Sequence, residues 1–188
     1  MIDMYLTIDG VKGESMDDKH KDWIEVLSYS HAMSMPVSSS KSSAGGASTG
    51  RTQHGDLSIT KYIDIASPKL AEAVSKGTHY KTAKLELCRA GGSQVPYLTI
   101  SLGQVLLSSV LQHGSANVSD GAGGPENPGA GVGKAPTSSL TVSNADLLPT
   151  ETINLNYGTI EWNYTQQKRS DGSGGGSVNT KFDLTAGK

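Results

Sequence analysis

Between Glu151 and Lys168 apolar side chains alternate with polar ones, and halfway along they change sides. Ile153, Leu155 and Tyr157 occupy odd positions, whereas Ile160, Trp162 and Tyr164 occupy even ones. Period two is the signature of an extended strand with one buried face. The switch falls on Gly158. A strand whose apolar face moves by one residue carries a β-bulge, so the pattern predicts one long, bent strand of the kind that closes barrels or turns corners between packed sheets.

The same periodicity recurs along the chain. Ile2, Met4, Leu6 and Ile8 give a first strand ended by Asp9-Gly10, and Leu57, Ile59, Lys61 and Ile63 give another. Ala83 to Ala90, Tyr97 to Leu102 and Val105 to Leu111 are three more, broken by Gly91-Gly92 and by Gly103, and an antiparallel meander is their simplest topology. After the linker Ser170 to Ser177, Val178, Thr180, Phe182 and Leu184 form a closing strand. Trp23 to Met35 is extended with unlike faces: Leu27, Tyr29, His31, Met33 and Met35 are bulky and expected to meet the core, while Ser28, Ser30, Ala32 and Ser34 are small. One helix stands out, Ser67 to Lys76, with Ser67 as N-cap, Pro68 in the first turn, a stripe of Leu70, Ala73 and Val74, and Gly77 as terminator. The expected fold is mainly β, a compact β-barrel of two antiparallel sheets with one short flanking α-helix.

A chain of 188 residues has room for one domain, and residues 1–188 are read as one. With one Phe, two Trp and 35% hydrophobic residues the core is lean. The 23 glycines gather in three tracts, which marks loops. Pro36 to Arg51 is too polar to bury and reads as a long exposed loop. Gly114 to Ser139, with Pro125, Pro128 and Pro136 among its glycines, belongs to an insertion at about 114–148.

Composition also removes function classes. A net charge of −2 with interspersed signs gives no basic field for nucleic acid. No run approaches the roughly 18 apolar residues of a membrane span or has the shape of a leader. The expectation is a protein made in the cytoplasm that, if it is secreted, leaves without a cleaved signal peptide. Cys88 sits among strand hydrophobes. Gly46-Ala47-Ser48-Thr49-Gly50 matches a nucleophile elbow, but no apolar strand leads into it. Gly133-Lys134 lacks the glycine and hydroxyl of a phosphate loop, because Pro128 and Ala135 stand in those places. His20, His31, His54, His79 and His113 lie in separate segments without metal-ligand spacing, and Asp17-Asp18 beside Lys19, His20 and Lys21 reads as a solvated charge run. No catalytic residue, cofactor or metal is expected.

Met4-Tyr5-Leu6, Val11-Lys12-Gly13-Glu14-Ser15, Leu27-Ser28-Tyr29-Ser30, Leu57 through Asp64, Ser67-Pro68-Lys69-Leu70, Gly77-Thr78-His79-Tyr80, Arg89-Ala90-Gly91-Gly92 and Thr152 through Tyr157 together resemble the haemolysin-coregulated protein (Hcp) family. In order and spacing the likeness covers nearly the whole chain, except the long 114–148 region. The resemblance implies a structural subunit, not an enzyme: hexameric rings stacked as the inner tube of a type VI secretion system, within a contractile sheath and under a spike protein, secreted with small effectors. It places the small face of Ser28, Ser30 and Ser34 on the ring lumen. It makes the loop carrying Ser38, Ser39, Ser40, Lys41, Ser42, Ser43 and Arg51 the contact between stacked rings. The alternatives are an effector carrier or chaperone on the same fold, and a lectin-like β-sandwich that uses Trp162 and Tyr164 as a platform.

Overall fold

The computed structural model describes residues 2–36, 51–89, 95–114, 148–167 and 174–187. Along them run β1 (Ile2–Ile8), β2 (Ile24–Glu25), β3 (Ser28–Ser30), β4 (Met33–Ser34), β5 (Gln53–His54), β6 (Leu57–Tyr62), α1 (Ser67–Lys76), β7 (His79–Arg89), β8 (Pro96–His113), β9 (Thr150–Asn156), β10 (Thr159–Gln167) and β11 (Gly174–Asp183). Nine strands make one sheet in the order β2-β1-β7-β8-β9-β6-β3, with β10 joined to β8 and β11 to β10, while β4 and β5 form a separate pair. All these pairings are antiparallel. The fold is mainly β; the described residues form two sheets and one helix, which flanks β8.

The two ends of the sheet path, β2 and β3, are successive stretches of one run. Val26 N donates to Met4 O at 2.9 Å and Leu27 N to Thr60 O at 2.8 Å, so residues 24–30 leave the edge of β1 and join that of β6. This hand-over resets the buried face. Ile24 and Val26 are buried on even positions, and beyond them odd-numbered Tyr29 packs on the core. The bulky row expected to meet the core does so only at Tyr29 and, half-buried, His31; Leu27, Met33 and Met35 are exposed. The expectation fails because Trp23 to Met35 is not one strand: it changes partner at Val26 and leaves the main sheet after Ser30.

β8 is unbroken where Gly103 was expected to end a strand. Its buried residues are Ile100 and Leu102 before Gly103 but Val105 and Leu107 after it. β9 and β10 lie end to end along β8 in constant register, Asn156 opposite Leu106 and Thr159 opposite Gly103, and change face at the same place, from Leu155 and Tyr157 to Ile160. β7 follows, with Tyr80 beside Val105 and Ala83 beside Leu102. The parity change at Gly158 is therefore a corner shared by all these strands, and no residue is inserted there to make a bulge. Register shifts occur elsewhere, at Leu87/Cys88, Leu107/Ser109 and Thr165/Gln167. Close approach explains the glycines. A Cβ on Gly103 would stand 2.4 Å from Thr159 Oγ1, and one on Gly158 would stand 3.1 Å from Gln104 Cβ.

Helix α1 has the expected bounds, buries Leu70 and Ala73, and stops at Gly77 with φ 63°. Its N-cap is Ala66, without a side-chain cap. Ser67 is instead recruited inward by a buried ionic cluster. Lys61, on the core side of β6, is fully buried. Its Nζ lies 2.6 Å from Asp64 Oδ1 and 2.9 Å from Glu151 Oε1, and it donates to Tyr62 O and Ser67 Oγ at 2.8 and 3.2 Å. Glu151 also accepts from Ser67 Oγ at 2.8 Å and from Gln112 Nε2 at 3.0 Å. Burial alone would raise the Glu151 carboxyl, but hydrogen bonds from Gln112, Lys61 and Ser67, with the Lys61 charge, hold it below the usual 4.5.

Removing one partner of such a pair strands the other without water. Lys61→Met is expected to cost about 3–5 kcal/mol, read as a lower urea midpoint. Because the folded pKa of Glu151 lies below its unfolded value, its stabilisation is present above about pH 4.5 and is lost as pH falls through the folded pKa. Glu151→Gln should flatten that acid limb of stability against pH; an unchanged slope would refute the assignment.

Gly13 supplies a second test. A Cβ there would fall 2.3 Å from the Trp23 carbonyl oxygen, because Gly13 N donates to Asp22 O and Ser15 N to Trp23 O. Backbone cannot yield as a side chain can, so Gly13→Ala should cost roughly 3 kcal/mol. Gly77→Ala, strained only by its positive φ, should cost about 1 kcal/mol.

Candidate functional site

The face of the sheet opposite the core carries a wall of short polar side chains. Ser28 pairs with Thr60, and Thr60 with Thr152; Ser30 pairs with Ser58, and Ser58 with Asn154, which in turn pairs with Ser109. Directly opposed residues share a face, and the intervening row, Tyr29, Ile59, Ile153 and Val110, points to the core. The wall is cross-linked: Thr60 and Thr152 hydroxyls lie 3.3 Å apart, Asn154 Nδ2 donates to Ser109 Oγ at 2.7 Å, and Asn156 Nδ2 donates to Asp56 Oδ1 at 2.8 Å. The sequence singled out Ser28 and Ser30, and both are exposed on this wall. Ser34 is exposed too, but it pairs with Gln53 in the β4–β5 sheet and so does not join them. Thr60, Thr152, Asn154 and Ser109 were missed because their membership depends on pairings between distant segments.

Where residues 24–30 pass from β1 to β6, Ile2, Met4, Leu27 and Tyr62 line a groove of about 240 Å³. Ile2, Leu27 and Tyr62 are each more than 40% exposed, and Ile63 and Ile65 beyond them are exposed as well. These are large apolar side chains left in water next to the junction of β1 and β6.

The β4–β5 pair is the stem of the chain that runs from Pro36 to Arg51. Ser38, Ser39, Ser40, Lys41, Ser42 and Ser43 lie outside the described residues, as do Ser48 and Lys134. Arg51 is exposed and its Nη2 donates to Leu184 O at 3.0 Å, tying the stem to the turn after β11. Below the stem two histidines from separate segments meet on one buried phenol. His31 Nε2 lies 2.7 Å and His54 Nδ1 3.2 Å from Tyr157 Oη, and His54 stacks on Phe182 with centroids 4.9 Å apart. Trp162 is half-buried against the core, whereas Tyr164 is exposed.

The supposed solvated run around Asp17 is partly buried. His20 is 1% exposed, stacks on Tyr5 at 4.2 Å, and places Nδ1 2.7 Å from Asp17 Oδ1 and Nε2 2.9 Å from Glu86 Oε2. Asp17 Oδ1 also accepts the Lys19 and His20 N–H groups, so it folds this loop instead of solvating it. Cys88 Sγ stands 3.9 Å from the same His20 nitrogen. The file of Asp, His and Cys has the outline of a nucleophile, base and orienting acid. Its chemistry is different. Cys88 is fully buried, and burial together with Glu86, Asp17 and Asp3 pushes its thiol up to about 11, far from the thiolate that a nucleophile requires. Among the described residues no group of three or more His, Cys, Asp or Glu is placed to hold a metal, and no helix is long and apolar enough to cross a membrane.

Residues 5–164 match the family described as type VI secretion system effector, Hcp. Protein hcp1 of Pseudomonas aeruginosa is 39% identical over 184 residues, which is 97% of this chain and 95% of that protein. A solved type six secretion system protein superposes with a TM-score of 0.80 at 28% identity, over 100% of this chain and 99% of its own. Hcp1 from Salmonella typhimurium does so with 0.68 at 27%, over 100% and 97%. The chain therefore belongs to the Hcp family of type VI secretion proteins.

Proposed function

We propose that this chain is a structural tube subunit of a type VI secretion system, forming hexameric rings that stack within a contractile sheath, beneath a spike protein, and leave the cell with small effectors. The observation that carries the reading is the polar wall. A channel that passes folded cargo needs side chains that are short, hydrated and held still, and Ser28, Ser30, Ser58, Thr60, Thr152 and Asn154 meet that need on a rigid ladder. Rows of this kind on six copies would surround an open lumen. The apolar groove of Ile2, Leu27 and Tyr62 supplies a patch that a neighbouring copy can cover, as ring closure requires. In this reading the polar segment between β4 and β5 makes the contact with the next ring, and Arg51 stands at its end. No step here is catalytic.

Negative-stain microscopy and light scattering of the purified chain should show six-fold rings with an open centre, and a compact monomer at high concentration would overturn the reading. Ser30→Gln should leave rings intact while reducing co-purifying effector; unchanged recovery would remove the wall from cargo contact. The insertion at about 114–148 is proposed to lie outside the ring contact, so deleting residues 115–147 should leave rings, and only monomers would place it in the interface.

A further inference from the structure

We propose that the β4–β5 stem is an acid-released latch, held on the sheet by His31 and His54 through the Tyr157 hydroxyl while both rings are neutral, and freed when they are protonated. The argument is one of donors and acceptors. A phenol has one hydrogen to give. With neutral rings it donates to one histidine nitrogen and accepts from the other, and the two short contacts, 2.7 Å to His31 and 3.2 Å to His54, are both satisfied. Two imidazolium rings would both be donors towards the same oxygen, leaving the hydroxyl hydrogen of Tyr157, 4% exposed, to compete for the same space. The two cations would also face each other with ring centroids 6.5 Å apart.

The surroundings favour a neutral His31. Burial, then His54, holds His31 below the usual imidazole range, and a backbone hydrogen bond with Gly55 opposes them without prevailing. Tyr157 remains a phenol throughout, pushed up to about 12 by burial and by Asp56. Of the neighbouring charges Asp56 has the sign that favours an imidazolium, but burial and His54 still hold His31 low. Asp56 accepts from Ser108 and Asn156, Asp183 from Thr185 and Ala186, and Arg51 donates to Leu184 O. His79 and Lys81 of β7 line a groove with Tyr157, and the Lys81 charge opposes any further cation nearby. From β10 and β11 the cluster meets the uncharged rings of Trp162 and Phe182.

The sign follows. A histidine whose docked pKa is depressed stabilises the docked stem fully above the free imidazole value of about 6.5. That stabilisation is lost as pH falls below it through the docked value. What this means for ring stacking rests on reading the Pro36 to Arg51 segment as the contact between rings, whereas the latch itself does not.

Hydrogen exchange of the full chain in its native assembly tests it at the Gly55 N–H, which donates to Ala32 O at 2.8 Å at the base of the stem. After correction for intrinsic exchange, the opening constant there should rise at least tenfold between pH 7.5 and 5.5 while β6 and β9 amides keep theirs. Tyr157→Phe should open the stem at both pH values. His54→Gln, which keeps a donor without a titrating ring on a half-buried position, should weaken the pH response even if the phenylalanine variant fails to fold. Gly55 protection that does not change with pH overturns the latch, as does an undiminished pH response in His54→Gln. Stack lengths from the same samples separate the two ideas. An open stem with unaltered stacks keeps the latch and removes the stacking role. Stacks that shorten while Gly55 stays protected overturn the latch and leave the stacking role standing.

Discussion

The corner at Gly103 and Gly158 is the constraint on which the rest of this molecule depends. Side chains on a strand alternate with period two, so one strand cannot move its apolar face without its neighbours unless hydrophobic and polar rows are mixed. Here β7, β8 and the β9–β10 line all make the move at one level, with Tyr80, Val105 and Tyr157 on one side of it and Ala83, Leu102 and Ile160 on the other. Constant register across Gly158 is what keeps those rows pure. Gln104, opposite the gap, takes φ 54°, a conformation that costs a residue with a side chain about 1 kcal/mol and that the shared turn imposes.

Bending the sheet at this line gives its two faces different work. The inner face collects Leu57, Ile59, Ile153, Leu155 and Leu107 with the residues of β1 and β7. The outer face of the same strands presents hydroxyls and amides that bond to one another across the ladder. A lean core follows from this division, since half of each strand is committed to a polar surface. It also accounts for exposed Ile2, Leu27 and Tyr62, apolar area that this chain alone does not cover and that association can.

Much of this was legible in the chain, and the failures share one cause. The strands at Ile2–Ile8 and Leu57–Tyr62, the bounds of α1 and the change of face at Gly158 all follow from local periodicity or local turn chemistry. Ser28 and Ser30 stood out because they alternate with a bulky row and form a small face of their own. What was not legible depends on partners far along the sequence. Nothing near Ile24 says that the strand will exchange β1 for β6 two residues later, so the faces of Leu27, Met33 and Met35 were misread. Lys61 has the periodicity of a core residue and the chemistry of a surface one, and only Glu151, 90 positions away, resolves the conflict. His31 and His54 meet because β4 and β5, far apart in sequence, pair with each other. Ser67 follows the sequence rule for an N-cap, yet Lys61 and Glu151 claim its hydroxyl for the interior.

An ionic cluster in a lean core looks like a poor use of buried space, because taking charge out of water is costly and a well-packed apolar pair often does as well. Its position gives the reason. Lys61 faces Glu151 across the β6–β9 ladder, on the core side of β6 in line with Leu57 and Ile59. Apolar residues at 61 and 151 would tolerate a slip of two positions, which returns every side chain to the face it left. With lysine and glutamate there, the same slip separates the two charges and sets each against apolar neighbours, leaving buried charge unpaired. The cluster therefore contributes less to the depth of the native state than to its uniqueness. It fixes the register of the strands that carry Ser58, Thr60, Thr152 and Asn154, and that register puts the polar wall in line.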